Sequence, residues 1–243
     1  IILQNVRTVL GLLGGVCSMG AGANGRITAA EFAILRAAVF DGLDGKVARL
    51  VKGTSEFGVQ LDSLADVVSF GVAPAFLIYN WQLATATTQS GLNIGLMAMF
   101  LYVACGALRL ARFNVQTKKI GNLFFVGMPI PGAAGVLVSS VLFVRELSLY
   151  DMPYLSVIYL ILVFFLAFLM VSTVPFYSFK NLSFLKTRPF NTIVILVIFL
   201  CLIILKPFIT IFVALLLYTL SGFILLPLRK RLTERYDKGA GNL

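Results

Sequence analysis

Four aspartates fall between residues 41 and 66: Asp41, Asp44, Asp62 and Asp66. The whole chain has only ten Asp and Glu, and long apolar runs flank this stretch on both sides. An acid beside hydrocarbon is costly unless it is paired or bound to a cation, so the cluster marks a functional site. Asp41 and Asp44 are three residues apart and share a helix face; Asp62 and Asp66 are four apart and do the same. Gly58 lies one turn before Asp62 on that face. Two antiparallel helices joined by a short turn would aim all four carboxylates into one space. Oxygen ligands at that density suit hard divalent cations, Mg²⁺ or Mn²⁺, with Ca²⁺ a further candidate. A two-metal arrangement could clamp a phosphate and stabilise attacking and leaving oxygens. Gly45 and Ala48 would let a bulky ligand approach the backbone, and Arg49 offers a guanidinium to a phosphate oxygen. Single acids at helix ends are often plain salt bridges, but four with these neighbours suggest a metal–pyrophosphate site. The alternative is a divalent-cation path, which Arg49 would oppose by repulsion. The chain has no His, so imidazole chemistry is excluded.

The elements that must position these acids are membrane helices. The chain is 59% hydrophobic and 12% charged over 243 residues, with a mean hydropathy of +0.96. That composition belongs to an integral membrane protein. Its apolar runs are continuous rather than alternating, which favours helices over a barrel. Eight spans are expected, at roughly 5–22, 28–50, 56–82, 91–113, 131–147, 153–175, 190–205 and 207–227. The first lacks a strong basic leader and is followed by further spans, so it reads as a membrane helix rather than a signal peptide. Thr54 or Ser55 followed by Glu56 reads as a helix start, and Pro129 and Pro131 mark a break before the fifth span. Alternating from a cytoplasmic N-terminus places Lys46, Arg49, Lys52, Arg109, Arg112, Lys118, Lys119, Lys180, Lys186, Arg188 and the basic tail on the cytoplasmic side. Most of the 20 basic residues then lie inside, as the positive-inside rule requires. The acid cluster opens to the same side. The net charge of +10 reflects these loops and anionic lipid headgroups and does not call for nucleic acid. The fold class is all-α, a polytopic helix bundle forming one integral membrane domain over residues 1–243. Cys17, Cys105 and Cys201 read as buried thiols, and Arg36 is expected to pair with Glu31 or to snorkel.

Asp41-Gly42-Leu43-Asp44-Gly45-x-x-Ala48-Arg49, then Gly58, Asp62 and Asp66 at fixed spacing, resembles the complete signature of the CDP-alcohol phosphatidyltransferase family. Further stretches, Phe57 to Ala75, Ala107 to Asn114, Gly127 to Pro131 and Pro175 to Lys180, are similar to its integral-membrane CDP-diacylglycerol–serine O-phosphatidyltransferases, the phosphatidylserine synthases. The resemblance runs from about residue 35 to 180. Lys46 stands where Arg is more usual, and the Gly/Ala-rich break between the first two helices is atypical; neither touches the signature.

The resemblance implies a six-helix family core, a homodimer in a bacterial cytoplasmic (inner) membrane, and a divalent cation, with two ions expected. It implies transfer of the phosphatidyl group from CDP-diacylglycerol to L-serine, giving phosphatidylserine and CMP at the cytoplasmic face. The same chemistry with glycerol phosphate, inositol phosphate or choline is the alternative. Carried over, Asp41, Asp44 and Asp62 are metal ligands; Asp66 both touches metal and takes the hydroxyl proton. Asp44, Gly45, Ala48, Arg49 and Gly58 would line CDP-diacylglycerol. A zwitterionic acceptor needs a cation or donor for its carboxylate, and Arg109, Arg112 and Asn114 are the candidates for serine or phosphate binding.

Overall fold

The computed structural model describes the backbone of residues 2–51, 56–86, 91–116, 124–177 and 189–240; side chains are described over a subset of these. Among the described residues there are eight helical stretches. These are α1 (Ile2–Ala23), α2 (Ile27–Val51), α3 (residues 56–83), α4 (Ile94–Gln116), α5 (Ile130–Glu146), α6 (Leu155–Val171), α7 (Pro189–Leu205) and α8 (Pro207–Ala240). Each coincides with one expected span. Two of them, Phe57–Leu83 within α3 and Ile94–Val115 within α4, are long and apolar enough to cross a membrane.

The side-chain distribution is that of a bundle in lipid. α5 is the central post: Ile130, Ala133, Val136, Leu137, Val138 and Val141 are all fully buried. α6 buries Tyr159, Val163, Leu166 and Met170 while exposing Ile158, Ile161, Phe165 and Phe168. α7 exposes an unbroken apolar run, Ile193 to Leu200. In water such surface would be a large sticky patch; against acyl chains it costs nothing. The protein is an integral membrane protein of mostly helical fold. Cys17 and Cys201 follow the same logic. They are exposed, and Cys105 is half-buried, which corrects the expectation of three buried thiols. A thiol is apolar enough to face lipid as readily as a core.

Two features depart from a plain all-α bundle. Phe124–Val126 (β1) and Pro175–Tyr177 (β2) pair antiparallel, with Phe125 opposite Phe176. The ladder continues through the Gly127 N–H, which donates to the Val174 carbonyl at 2.9 Å. Gly127 adopts φ +81°, a conformation that favours glycine. A Cβ there would also strike the Met170 carbonyl and the Arg112 guanidinium. The sixth expected span, 153–175, therefore ends as a helix at Val171, since Pro175 disfavours helix at the residue before it.

The second departure lies in α3. Its α-helical turns Glu56–Asp66 and Ala73–Ile78 are separated by a wider π turn, Val67–Val72, and followed by another, Tyr79–Leu83. Pro74 brings no N–H to this region, so carbonyls one turn back lose a helical donor. The buried Tyr102 hydroxyl from α4 donates to the Phe70 carbonyl at 3.3 Å, supplying a donor from another helix. The first π turn begins immediately after Asp66. Widened turns of this kind are frequent at functional sites because they re-aim the side chains beside them.

The candidate metal and phosphate site

α1, α2, α3 and α4 converge on the acids. Asp41 from α2 and Asp62 and Asp66 from α3 place one carboxylate oxygen each within 4.8 Å of one another. All three are half-buried. They line a cleft with Thr8 and Gly11 of α1, Ala37 of α2, and Ala65, Ser69 and Phe70 of α3. Asp44, Gly45, Ala48 and Arg49 follow Asp41 along the α2 backbone; their side chains lie outside the described residues, as do Thr54 and Ser55. Gly58 is buried one turn ahead of Asp62.

Close helix approach makes this convergence possible. A Cβ on Gly15 would lie 2.9 Å from Ser69 Cα, and one on Gly14 would lie 3.2 Å from Ala37 Cβ. With hydrogen at both positions, α1 settles against α3 and α2 together. Two hydrogen bonds then pin α1 to the acid-bearing helix. Ser69 Oγ donates to the Gly11 carbonyl at 3.0 Å, and the Thr8 side chain bonds Asp62. α1 was not assigned to the site from sequence. A signal was present, because Thr8, Gly11, Gly14, Gly15 and Ser18 recur at three- and four-residue spacing, the pattern of small residues at a membrane helix interface.

Of the three residues expected on the acceptor side, Arg109 is the one whose charge acts on an acid of the cluster. It is 6% exposed, and its charge acts on Asp66 and on the Tyr218 hydroxyl of α8. Its guanidinium carbon sits 5.2 Å from the Phe113 ring centroid, a cation–π contact. Arg112 is engaged differently. Its Nη1 donates to the Val171 carbonyl at 2.9 Å, and its Nη2 to the Ser172 and Met170 carbonyls at 3.1 and 3.4 Å. It thereby caps the end of α6, whose last carbonyls lack helical donors. Asn114 Nδ2 donates to Ser63 Oγ at 2.8 Å, which ties α4 to α3 beside Asp62. Lys118 and Lys119 lie outside the described residues.

At the opposite end of the bundle, Glu31 pairs with Arg145 at 3.0 Å rather than with Arg36. Glu31 is fully buried, and the cation that reaches it comes from α5, far away in sequence; Arg36 is exposed. Glu146, next to Arg145 in sequence, pairs with Lys206 at 3.2 Å.

Comparison with known proteins places the chain in a family. Residues 1–169 match the family described as CDP-alcohol phosphatidyltransferase. The chain is 32% identical over 226 residues to a CDP-diacylglycerol–serine O-phosphatidyltransferase of Helicobacter pylori, covering 92% of this chain and 90% of that protein. It is 40% identical over 147 residues to a protein of the same name from Methanocaldococcus jannaschii, covering 60% and 63%. It is 42% identical over 152 residues to an archaetidylserine synthase of Methanothermobacter thermautotrophicus, covering 61% and 62%.

Proposed function

The chain belongs to the CDP-alcohol phosphatidyltransferase family, and from that premise we propose that it moves the phosphatidyl group of CDP-diacylglycerol onto the hydroxyl of L-serine. The products are phosphatidylserine and CMP. The observation that carries this reading is the meeting of Asp41, Asp62 and Asp66 within 4.8 Å beside the buried Arg109. Three anions so close repel one another unless a cation compensates them, so the donor set fits the hard divalent ion that the family implies. Asp41, Asp62 and Asp66 would hold it, with Asp44 from the same turn of α2. When bound, Mg²⁺ or Mn²⁺ supplies positive charge to the pyrophosphate and its departing oxygen.

The remaining work falls to side chains. Arg49 and the small residues Gly45, Ala48 and Gly58 receive the CDP moiety. Asp66 accepts the serine hydroxyl proton as the serine oxygen forms a bond to the lipid-side phosphorus. The bond from that phosphorus to the CMP oxygen breaks, and CMP leaves with the electron pair. Arg109 takes the acceptor's carboxylate. Arg112 acts through structure, holding the end of α6 and the Gly127 turn against α4. All eight helices cross the membrane, with the N-terminus and the cleft facing the cytoplasm, and the protein works as a homodimer. The acyl chains stay in lipid throughout. A cation path is disfavoured by a buried guanidinium beside the acids, which would raise the barrier to a passing ion.

The test is direct. Purified protein is mixed with CDP-diacylglycerol and labelled serine, with Mg²⁺, with Mn²⁺, or with chelator. Metal-dependent formation of labelled phosphatidylserine with equal CMP is the expected result. CMP release with another alcohol and none with serine would overturn the acceptor, and no CMP with any alcohol would overturn the reaction.

A further inference from the structure

The π turn Val67–Val72 begins at the residue after Asp66, and two helices grip it at consecutive positions. From α1, the Gly11 carbonyl accepts a hydrogen bond from the Ser69 hydroxyl at 3.0 Å. From α4, the Tyr102 hydroxyl donates to the Phe70 carbonyl at 3.3 Å. Ser69 and Phe70 both line the cleft with Asp66. In an α-helix the N–H of residue 74 would reach the carbonyl of residue 70, but Pro74 has none. The Ala73 N–H bonds the Val68 carbonyl, five residues back, which is the wider π spacing. Tyr102 is fully buried, one turn ahead of Gly106 on the same face of α4. A Cβ on Gly106 would meet Ile130 Cδ1 at 2.6 Å, and one on Gly71 would meet the same carbon at 3.6 Å. α4 and the π turn therefore lean on one atom of α5.

The register of this turn bears on the acids. A π turn holds one residue more than an α turn, so relaxing it would rotate one flank of α3 against the other by about 100°. Beyond the turn, Ala73, Leu77 and Ile78 are locked in the core. Before it, Asp62 and Asp66 are half-buried, so the acid-bearing flank is the one that would move. We infer that Tyr102 is a positioning residue for the reaction: through the Phe70 carbonyl it holds the π turn, and the turn fixes the direction of the Asp66 carboxylate. The inference rests on the role proposed above for Asp66.

The experiment compares wild type with Tyr102→Phe, which keeps the buried ring and removes only the hydroxyl. Tyr159→Phe is the control, since Tyr159 is likewise buried but lies on α6, edge-on to Trp81. CMP release is measured with metal in excess and both substrates varied in turn, well below the unfolding midpoint of each protein. In Tyr102→Phe, kcat should fall about tenfold through misplacement of Asp66, while KM for either substrate changes little. Tyr159→Phe should keep the wild-type kcat. A wild-type kcat in Tyr102→Phe, a loss matched by the control, or a loss carried wholly by KM would overturn the inference and leave Tyr102 a packing residue. Wild type that releases no CMP with any alcohol would instead overturn the reaction itself, a separate result visible before any variant is compared.

Discussion

Gly15 tests whether the acids are held by helix packing. A Cβ there would stand 2.9 Å from Ser69 Cα and 3.0 Å from Ser69 Oγ. Non-bonded carbons rest about 3.5–4.0 Å apart, so Gly15→Ala must push α1 and α3 apart by roughly 0.6–1.1 Å. The first obstacle is backbone, so no rotamer change relieves it. Separation weakens the Ser69–Gly11 hydrogen bond, 3.0 Å in the structure, and draws Thr8 away from Asp62. Overpacking costs about 1–3 kcal/mol, and alanine returns at most about 1 kcal/mol through helix propensity. The expected net loss is about 1–2 kcal/mol. Displacing a carboxylate of the proposed metal site by such a distance should lower kcat on the order of 10²-fold. Gly20→Ala on the same helix is the control, because a Cβ there meets nothing within 4 Å. CMP release and thermal unfolding, measured side by side in one detergent, give the answer. Wild-type kcat and midpoint in Gly15→Ala would refute the claim that this contact sets the site.

Three further outcomes follow from named contacts. Asp66→Asn should abolish turnover while CDP-diacylglycerol still binds, measured by CMP release and by equilibrium binding; loss of binding would make Asp66 chiefly a metal ligand. Arg145→Ala should destabilise the protein by about 3 kcal/mol, because it strands the buried Glu31 carboxylate. Pairing it with Glu31→Gln should recover much of that loss in thermal unfolding, and no recovery would mean the guanidinium stabilises by packing alone. Arg112→Gln should cost about 2 kcal/mol, since the carbonyls of residues 170–172 lose a charged donor. Its KM for serine should move far less than that of Arg109→Gln, which a full kinetic comparison of the two variants checks.

Local spacing carried much of this protein. Three- and four-residue intervals put Asp41 with Asp44 and Asp62 with Asp66 on common helix faces, because helical periodicity is written into neighbouring positions. Continuous apolar runs marked the helical stretches for the same reason. The π turn after Asp66 was harder to read. Pro74 signals a missing donor, but whether the helix kinks, widens or ends depends on what Tyr102 offers from another helix. The β1–β2 ladder left no periodic trace, since three residues a side are too few to show alternation.

Partner choice was decided by tertiary structure alone. Arg109 and Arg112 look equivalent in sequence, three residues apart on one helix. In the fold one is buried beside Asp66 and the other caps α6. Of the two expectations for Arg36, pairing with Glu31 or snorkelling, the pairing is not seen: Glu31 pairs with Arg145 because α5 lies against α2 at that end. Thr8 reaches the cleft from the first helix, far in sequence from Asp62 and Asp66. The sequence by itself determined which residues share a helix face, because that depends on rotation along a single helix. Only packing decided which faces meet, because that depends on where small residues such as Gly15 and Gly222 let distant helices touch.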